Sequence, residues 1–118
     1  RAESVKNTLI SFLIEQRKRE KSVAAYGAAA KGNTILNYAG IRPDLLPYVC
    51  DSAPSKQGKY MPGSHIPILS PEVLKERKPE YIIILPWNIA EEVMSEYHYV
   101  KAWGAKFVTA VPELRIIE

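Results

Sequence analysis

Val23-Ala24-Ala25-Tyr26-Gly27-Ala28-Ala29-Ala30-Lys31-Gly32-Asn33-Thr34-Ile35-Leu36-Asn37-Tyr38-Ala39-Gly40 reads as a strand, a tight turn of small residues, and a helix. Such a turn leaves the first N–H groups of the helix without intrahelical partners. It also places the positive end of the helix dipole, about half a unit of charge, above the end of the strand. Phosphate is the usual occupant of that position. Gly40 closes the helix, the residue type that supplies a left-handed cap.

Working outward, Ser4 to Lys21 carries Val5, Leu9, Phe12 and Leu13 at helical spacing. Residues 1–22 therefore read as an amphipathic lead-in helix and 23–118 as the domain proper, with the Phe12/Leu13 stripe packing on the sheet or on another domain. After a turn at Arg42-Pro43-Asp44, Leu45 to Asp51 reads as a second strand, and Ile66-Pro67-Ile68 as a brief third. Ser70-Pro71-Glu72 starts a helix with serine as cap and proline first, turning Val73 and Leu74 inward. Tyr81-Ile82-Ile83-Ile84-Leu85 is apolar throughout and rich in β-branched residues, as in a central parallel strand covered on both faces. Asn88, with Glu91 three residues on, reads as a capping box for a helix whose inner face is Ile89, Val93, Tyr97 and Val100. Lys106 to Thr109, beyond the Trp103-Gly104-Ala105 turn, is the last strand. Strands alternating with helices predict an α/β, Rossmann-like, doubly wound parallel sheet of about five strands in the order 3-2-1-4-5.

The chain has 118 residues, the size of one domain, and its 47% apolar and 25% charged content is ordinary for a globular protein. Its longest apolar run, Tyr81 to Leu85, is far below the roughly 20 residues of a membrane span, so no membrane role is expected. The net charge of +3 lies wholly within residues 1–21, which hold six basic and three acidic residues. That is a solvated helix face, and the basic body and interleaved aromatics of a nucleic-acid binder are missing. Cys50 is the only cysteine and sits among apolar neighbours, which excludes an intrachain disulfide and points to the cytoplasm. His65 and His98 stand 33 positions apart with no paired cysteine, so no metal site of standard spacing is expected. The chain begins at Arg1 without methionine and is expected to be a piece of a longer protein.

Ligands of such sheets lie over the carboxyl ends of the strands where strand order reverses. Gly27 and Gly32 match the first and third glycines of G-x-G-x-x-G, but Ala29 replaces the middle one, which disfavours tight dinucleotide binding. Asn33 stands where the phosphate loop of an NTPase requires lysine, and no acid follows the apolar fourth strand to hold magnesium. What remains is a phosphate-compatible turn holding Lys31, Asn33 and Thr34, or else small residues that only let helix and strand pack closely. Asp51, 24 positions after Gly27, sits where a carboxylate accepts from ribose hydroxyls, or where it simply builds the turn before Ser52 and Pro54. Lys56, Lys59 and Tyr60 lie in a long loop able to close over a phosphate or sugar, or else solvated. Trp87 either stacks on a ligand or seals the core, and His65 is the candidate proton carrier, with no orienting partner visible.

Four ordered strings carry a family resemblance: Val23 to Thr34, Asp51 through Lys56-Gln57-Gly58-Lys59-Tyr60-Met61-Pro62-Gly63-Ser64-His65-Ile66-Pro67-Ile68, Ile84 to Asn88, and Trp103 to Val108. Together the chain from about Val5 onward resembles the C-terminal domain of the sugar C-methyltransferase family. The resemblance implies that a zinc-binding region and an S-adenosylmethionine-binding domain precede this one, and that the methyl group goes to a carbon of a nucleotide-linked keto sugar. By that resemblance the backbone of Ala30, Lys31, Gly32, Asn33 and Thr34 meets the diphosphate. Asp51, Lys56, Tyr60, His65, Trp87 and Asn88 would line the nucleotide and sugar. S-adenosylmethionine and the catalytic base would belong mainly to the preceding methyltransferase domain, leaving this piece without cofactor and silent by itself. The expected partners are thus a nucleotide-sugar and that preceding domain. The rivals are a free-standing nucleotide- or CoA-type Rossmann module and a structural interaction domain with an empty turn.

Overall fold

A computed structural model describes residues 2–118. Its elements run α1 (Ala2–Lys18), β1 (Val23–Tyr26), α2 (Ala30–Ala39), β2 (Val49–Cys50), β3 (Ile68–Leu69), α3 (Glu72–Arg77), β4 (Tyr81–Ile84), α4 (Ala90–Glu96), β5 (Lys106–Thr109) and β6 (Arg115–Ile117). Short 3-10 turns at Trp87–Ile89 and His98–Trp103 flank α4. The sheet order is β3-β2-β1-β4-β5-β6. The first five strands are parallel in the expected order, with β1 at the centre, Ala25 beside Val49 on one side and Ile83 on the other.

The expected count of about five strands is corrected by β6, which runs antiparallel to β5 with Val108 opposite Ile116. Its short, mostly exposed sequence carries no long apolar run, because an edge strand with one open side does not require one.

Alternation along the strands sorts the core into two layers. Val23, Ala25, Ile83 and Val108 turn to the face covered by α1 and α2, where Leu9, Leu13 and Leu36 are buried. Ala24, Tyr26, Ile82, Ile84 and Phe107 turn to the face covered by α3 and α4, against Leu74, Val93, Tyr97 and Val100. Phe12 packs edge-on against Tyr81 at 5.3 Å, so the Phe12/Leu13 stripe serves this sheet.

Several boundaries differ from expectation. The lead-in helix ends at Lys18, and Glu20 follows with a left-handed φ of 59°. The second strand is only Val49–Cys50, because Leu45 and Leu46 donate back to Arg42 O in a turn and Pro47 has no N–H for a ladder. The third strand begins at Ile68, after Pro67. Helix α3 begins at Glu72, one residue beyond Pro71, though Ser70 Oγ still accepts from its N–H at 3.3 Å. Asn88 makes no side-chain cap: it lies inside the 3-10 turn, so the capping box is not formed and Ile89 faces solvent at 40% exposure.

Candidate functional site: a cleft between the first helix turn and the long loop

The turn after β1 is built around close contacts with the segment after β4. Gly27 has φ 102°, and a Cβ there would stand 2.4 Å from Pro86 Cδ; one on Gly32 would stand 2.7 Å from Leu85 Cβ. Both glycines thus admit Leu85 and Pro86 to the crevice between β1 and β4. The place where strand order reverses is filled by the protein itself.

On the β2 side the arrangement is open. Asp51 Oδ2 accepts from Ala28 N at 2.7 Å and Oδ1 from Ala53 N at 2.8 Å, while Gln57 Nε2 donates to Asp51 O at 2.8 Å. Lys56 Nζ reaches back to donate to Ala28 O at 3.1 Å. The loop is pinned further along, where Asn37 Nδ2 donates to Pro62 O at 2.9 Å and Arg42 to Gly63 O at 2.6 Å. A narrow antiparallel bridge pairs Tyr60 with Pro67.

Between these parts lies a cleft of about 470 Å³. Ala28, Ala29, Ala30 and Asn33 form one wall; Ser55, Lys56, Lys59 and Tyr60 form the other, with buried Met61 and Ile68 adding apolar lining. The first helical hydrogen bond of α2 runs from Asn33 N to Ala29 O, and no side chain caps Ala29. Among the described residues, the amides of residues 29–32 donate to no partner. With the ammonium groups of Lys56 and Lys59 opposite, the cleft is electropositive.

Of the expected site residues, Ala30, Asn33, Lys56 and Tyr60 meet in this cleft. Asp51 stands behind it with both oxygens engaged by the turn. Gly32 is buried against Leu85, and Thr34 Oγ1 donates to Ala30 O and borders a separate apolar groove of about 480 Å³ with Val5, Ile35 and Tyr38. Lys31 Nζ lies 5.6 Å over the Trp87 ring, on the β4 flank of the helix start, beside exposed Asn88. His65 is exposed in a turn at φ 61°, its N–H donating to Met61 O, and does not border the cleft. Ser55, Met61 and Ile68 were not singled out in the sequence; contacts distant in sequence, among them the Tyr60–Pro67 bridge and the Asn37–Pro62 hydrogen bond, bring this loop to the helix start.

Burial pushes the Cys50 thiol up to about 12, leaving it protonated and inert at neutral pH. Burial likewise raises the Tyr48 phenol to about 12. Among the described residues, no three His, Cys, Asp or Glu side chains cluster to hold a metal ion, and no helix is long and apolar enough to cross a membrane.

Residues 1–112 match the family model described as the C-methyltransferase C-terminal domain. The chain is 38% identical over 97 residues to the C-methyltransferase NovU of Streptomyces niveus, a match covering 82% of the chain and 23% of that protein. The chain thus spans about a quarter of the length of that curated relative. The fold is similar to UDP-D-quinovosamine 4-dehydrogenase of Vibrio fischeri, with a TM-score of 0.57 at 18% identity, over 83% of this chain and 93% of that one.

Proposed function

The chain belongs to the family of C-methyltransferase C-terminal domains, and on that premise we propose that it holds the substrate, a nucleotide-linked sugar, by its diphosphate. The observation that carries this reading is the cleft lined by Ala29 and Ala30, whose amides are free, together with Lys56 and Lys59. Oriented amides and ammonium groups around an opening of about 470 Å³ suit a diphosphate with one attached ring. With Leu85 and Pro86 filling the crevice toward β4, the ligand enters from the β2 side and its far end projects outward.

S-adenosylmethionine does not fit this cleft. Its sulfonium is a cation, and the cleft presents two lysines, while the nearby Asp51 carboxylate is spent on Ala28 and Ala53. The methyl donor, the base and the methyl transfer are assigned to the rest of a cytoplasmic enzyme, with which this domain packs. His65, outside the cleft, has no part in proton transfer on this reading, and the chain alone transfers no methyl group.

The test is a titration of the ¹⁵N-labelled chain with nucleoside diphosphate hexoses carrying different bases. The expected result is movement of the amide signals of residues 29–32 and of the loop around Lys56, weakening with added salt. The packing of both glycines against Leu85 and Pro86 favours the rival of a purely structural turn. Unchanged signals in the cleft at millimolar ligand would establish that rival.

A further inference from the structure

A second opening shares α2 with the cleft but has the opposite chemistry. Ala30 and Asn33 line the cleft, while Thr34, Ile35 and Tyr38 line the apolar groove of about 480 Å³ beside it. The groove is completed by Val5 and Lys6 near the start of α1 and by Val111, just past β5. Among its described residues Lys6 carries the only charge, and that ammonium rests 5.3 Å over the Tyr38 ring. Thr34 Oγ1 donates within its own helix. Tyr38 remains 54% exposed, and Val5, Ile35 and Val111 are only partly buried. An opening so poor in polar groups offers a nucleotide little and suits the apolar side chains of a protein.

We propose that this groove seats the part of the same polypeptide that precedes the domain. The family is one of C-terminal domains, and the match with NovU covers 23% of that relative. A preceding part of that size reaches the domain through α1, whose first turn, with Ala2 and Val5, borders the groove. Tethered there, it meets the groove at an effective concentration of about a millimolar, which favours it over a second copy or a separate partner. Thr34 and Ile35 sit little more than one turn from Ala30 on the same helix, so a module on the groove stands beside a ligand projecting from the cleft. This seat depends on the proposed function only in that a methyltransferase part precedes the domain; it does not depend on the diphosphate.

The test labels the tyrosines of the full-length polypeptide with hydroxyl radicals. Tyr38, 54% exposed in this domain, is expected to react about tenfold more slowly than a tyrosine of that exposure. Dilution from about 10 µM to about 0.1 µM should leave the protection unchanged, since the occupant is tethered. Thr34→Glu puts a carboxylate in the groove while suiting the early turns of a helix, and should restore full labelling. Thr34→Val keeps the shape without the charge and should leave Tyr38 protected. Full labelling of Tyr38 in the unsubstituted protein would overturn the inference, as would protection that survives Thr34→Glu. Protection lost on dilution would also overturn it, by assigning the groove to a second copy. Circular dichroism separates release from unfolding in the variants, and labelling of the unsubstituted protein, concentrated and diluted, decides the point without them. Protection of Tyr38 with no cleft signals on adding nucleotide would overturn the diphosphate reading alone.

Discussion

Replacing Asp51 by alanine separates two roles for a carboxylate at the end of β2. Its oxygens accept from Ala28 N at 2.7 Å and Ala53 N at 2.8 Å, tying the turn after β1 to the loop after β2. Hydrogen bonds to a charged acceptor contribute about 1.5–3 kcal/mol each, and this half-buried site belongs at the lower end. Losing both costs about 3 kcal/mol, a fall in melting temperature of about 12 °C at roughly 4 °C per kcal/mol. Asp51→Asn keeps one acceptor oxygen and should lose about half as much. Calorimetry on the unliganded chain measures both. A loss below about 1 kcal/mol for Asp51→Ala, together with abolished nucleotide binding, would refute this reasoning and return the carboxylate to ribose recognition.

Gly27→Ala combines a left-handed φ with a Cβ 2.4 Å from Pro86 Cδ, and should cost about 3 kcal/mol in urea unfolding. Gly32→Ala meets Leu85 Cβ at 2.7 Å but gains helix propensity, so about 1 kcal/mol is expected; the reverse ranking would contradict the packing described. Cys50 and Tyr48 are both held protonated by burial, with pKa values raised from 9.0 and 10.0 to about 12. The folded state therefore holds protons that the unfolded chain releases, so stability is full below about pH 9 and falls as pH rises toward about 12. Cys50→Ala should move the onset of alkaline unfolding, followed by circular dichroism, up toward pH 10.

Much of the fold was legible because its determinants are local. The β-branched run at Tyr81–Ile84 and the glycine-closed helix Ala30–Ala39 carry their structure in adjacent residues. What escaped depends on distant partners. The strand Arg115–Ile117 exists because β5 offers it an edge. The segment Leu45–Leu46 looks like a strand but curls back to Arg42. Asn88 has a capping partner in sequence, yet the backbone after Pro86 winds into a 3-10 turn first. At the site, residue types pointed to Lys56 and Tyr60, but whether Asp51 faced a ligand or a neighbouring amide turned on a contact spanning 23 positions. Thr34 and His65 left the cleft for similar reasons: α2 turns Thr34 toward Val5 and Tyr38, and the tight turn at Met61–His65 carries the imidazole away.

The seating of Pro86 on Gly27 bears on how this scaffold could be re-engineered. Restoring the missing middle glycine at Ala29 is the obvious route to a dinucleotide carrier, and it would fail while a pyrrolidine ring plugs the neighbouring gap. The first substitution would have to be at position 86, with Leu85 trimmed next, before any change of the turn itself could admit a second nucleotide.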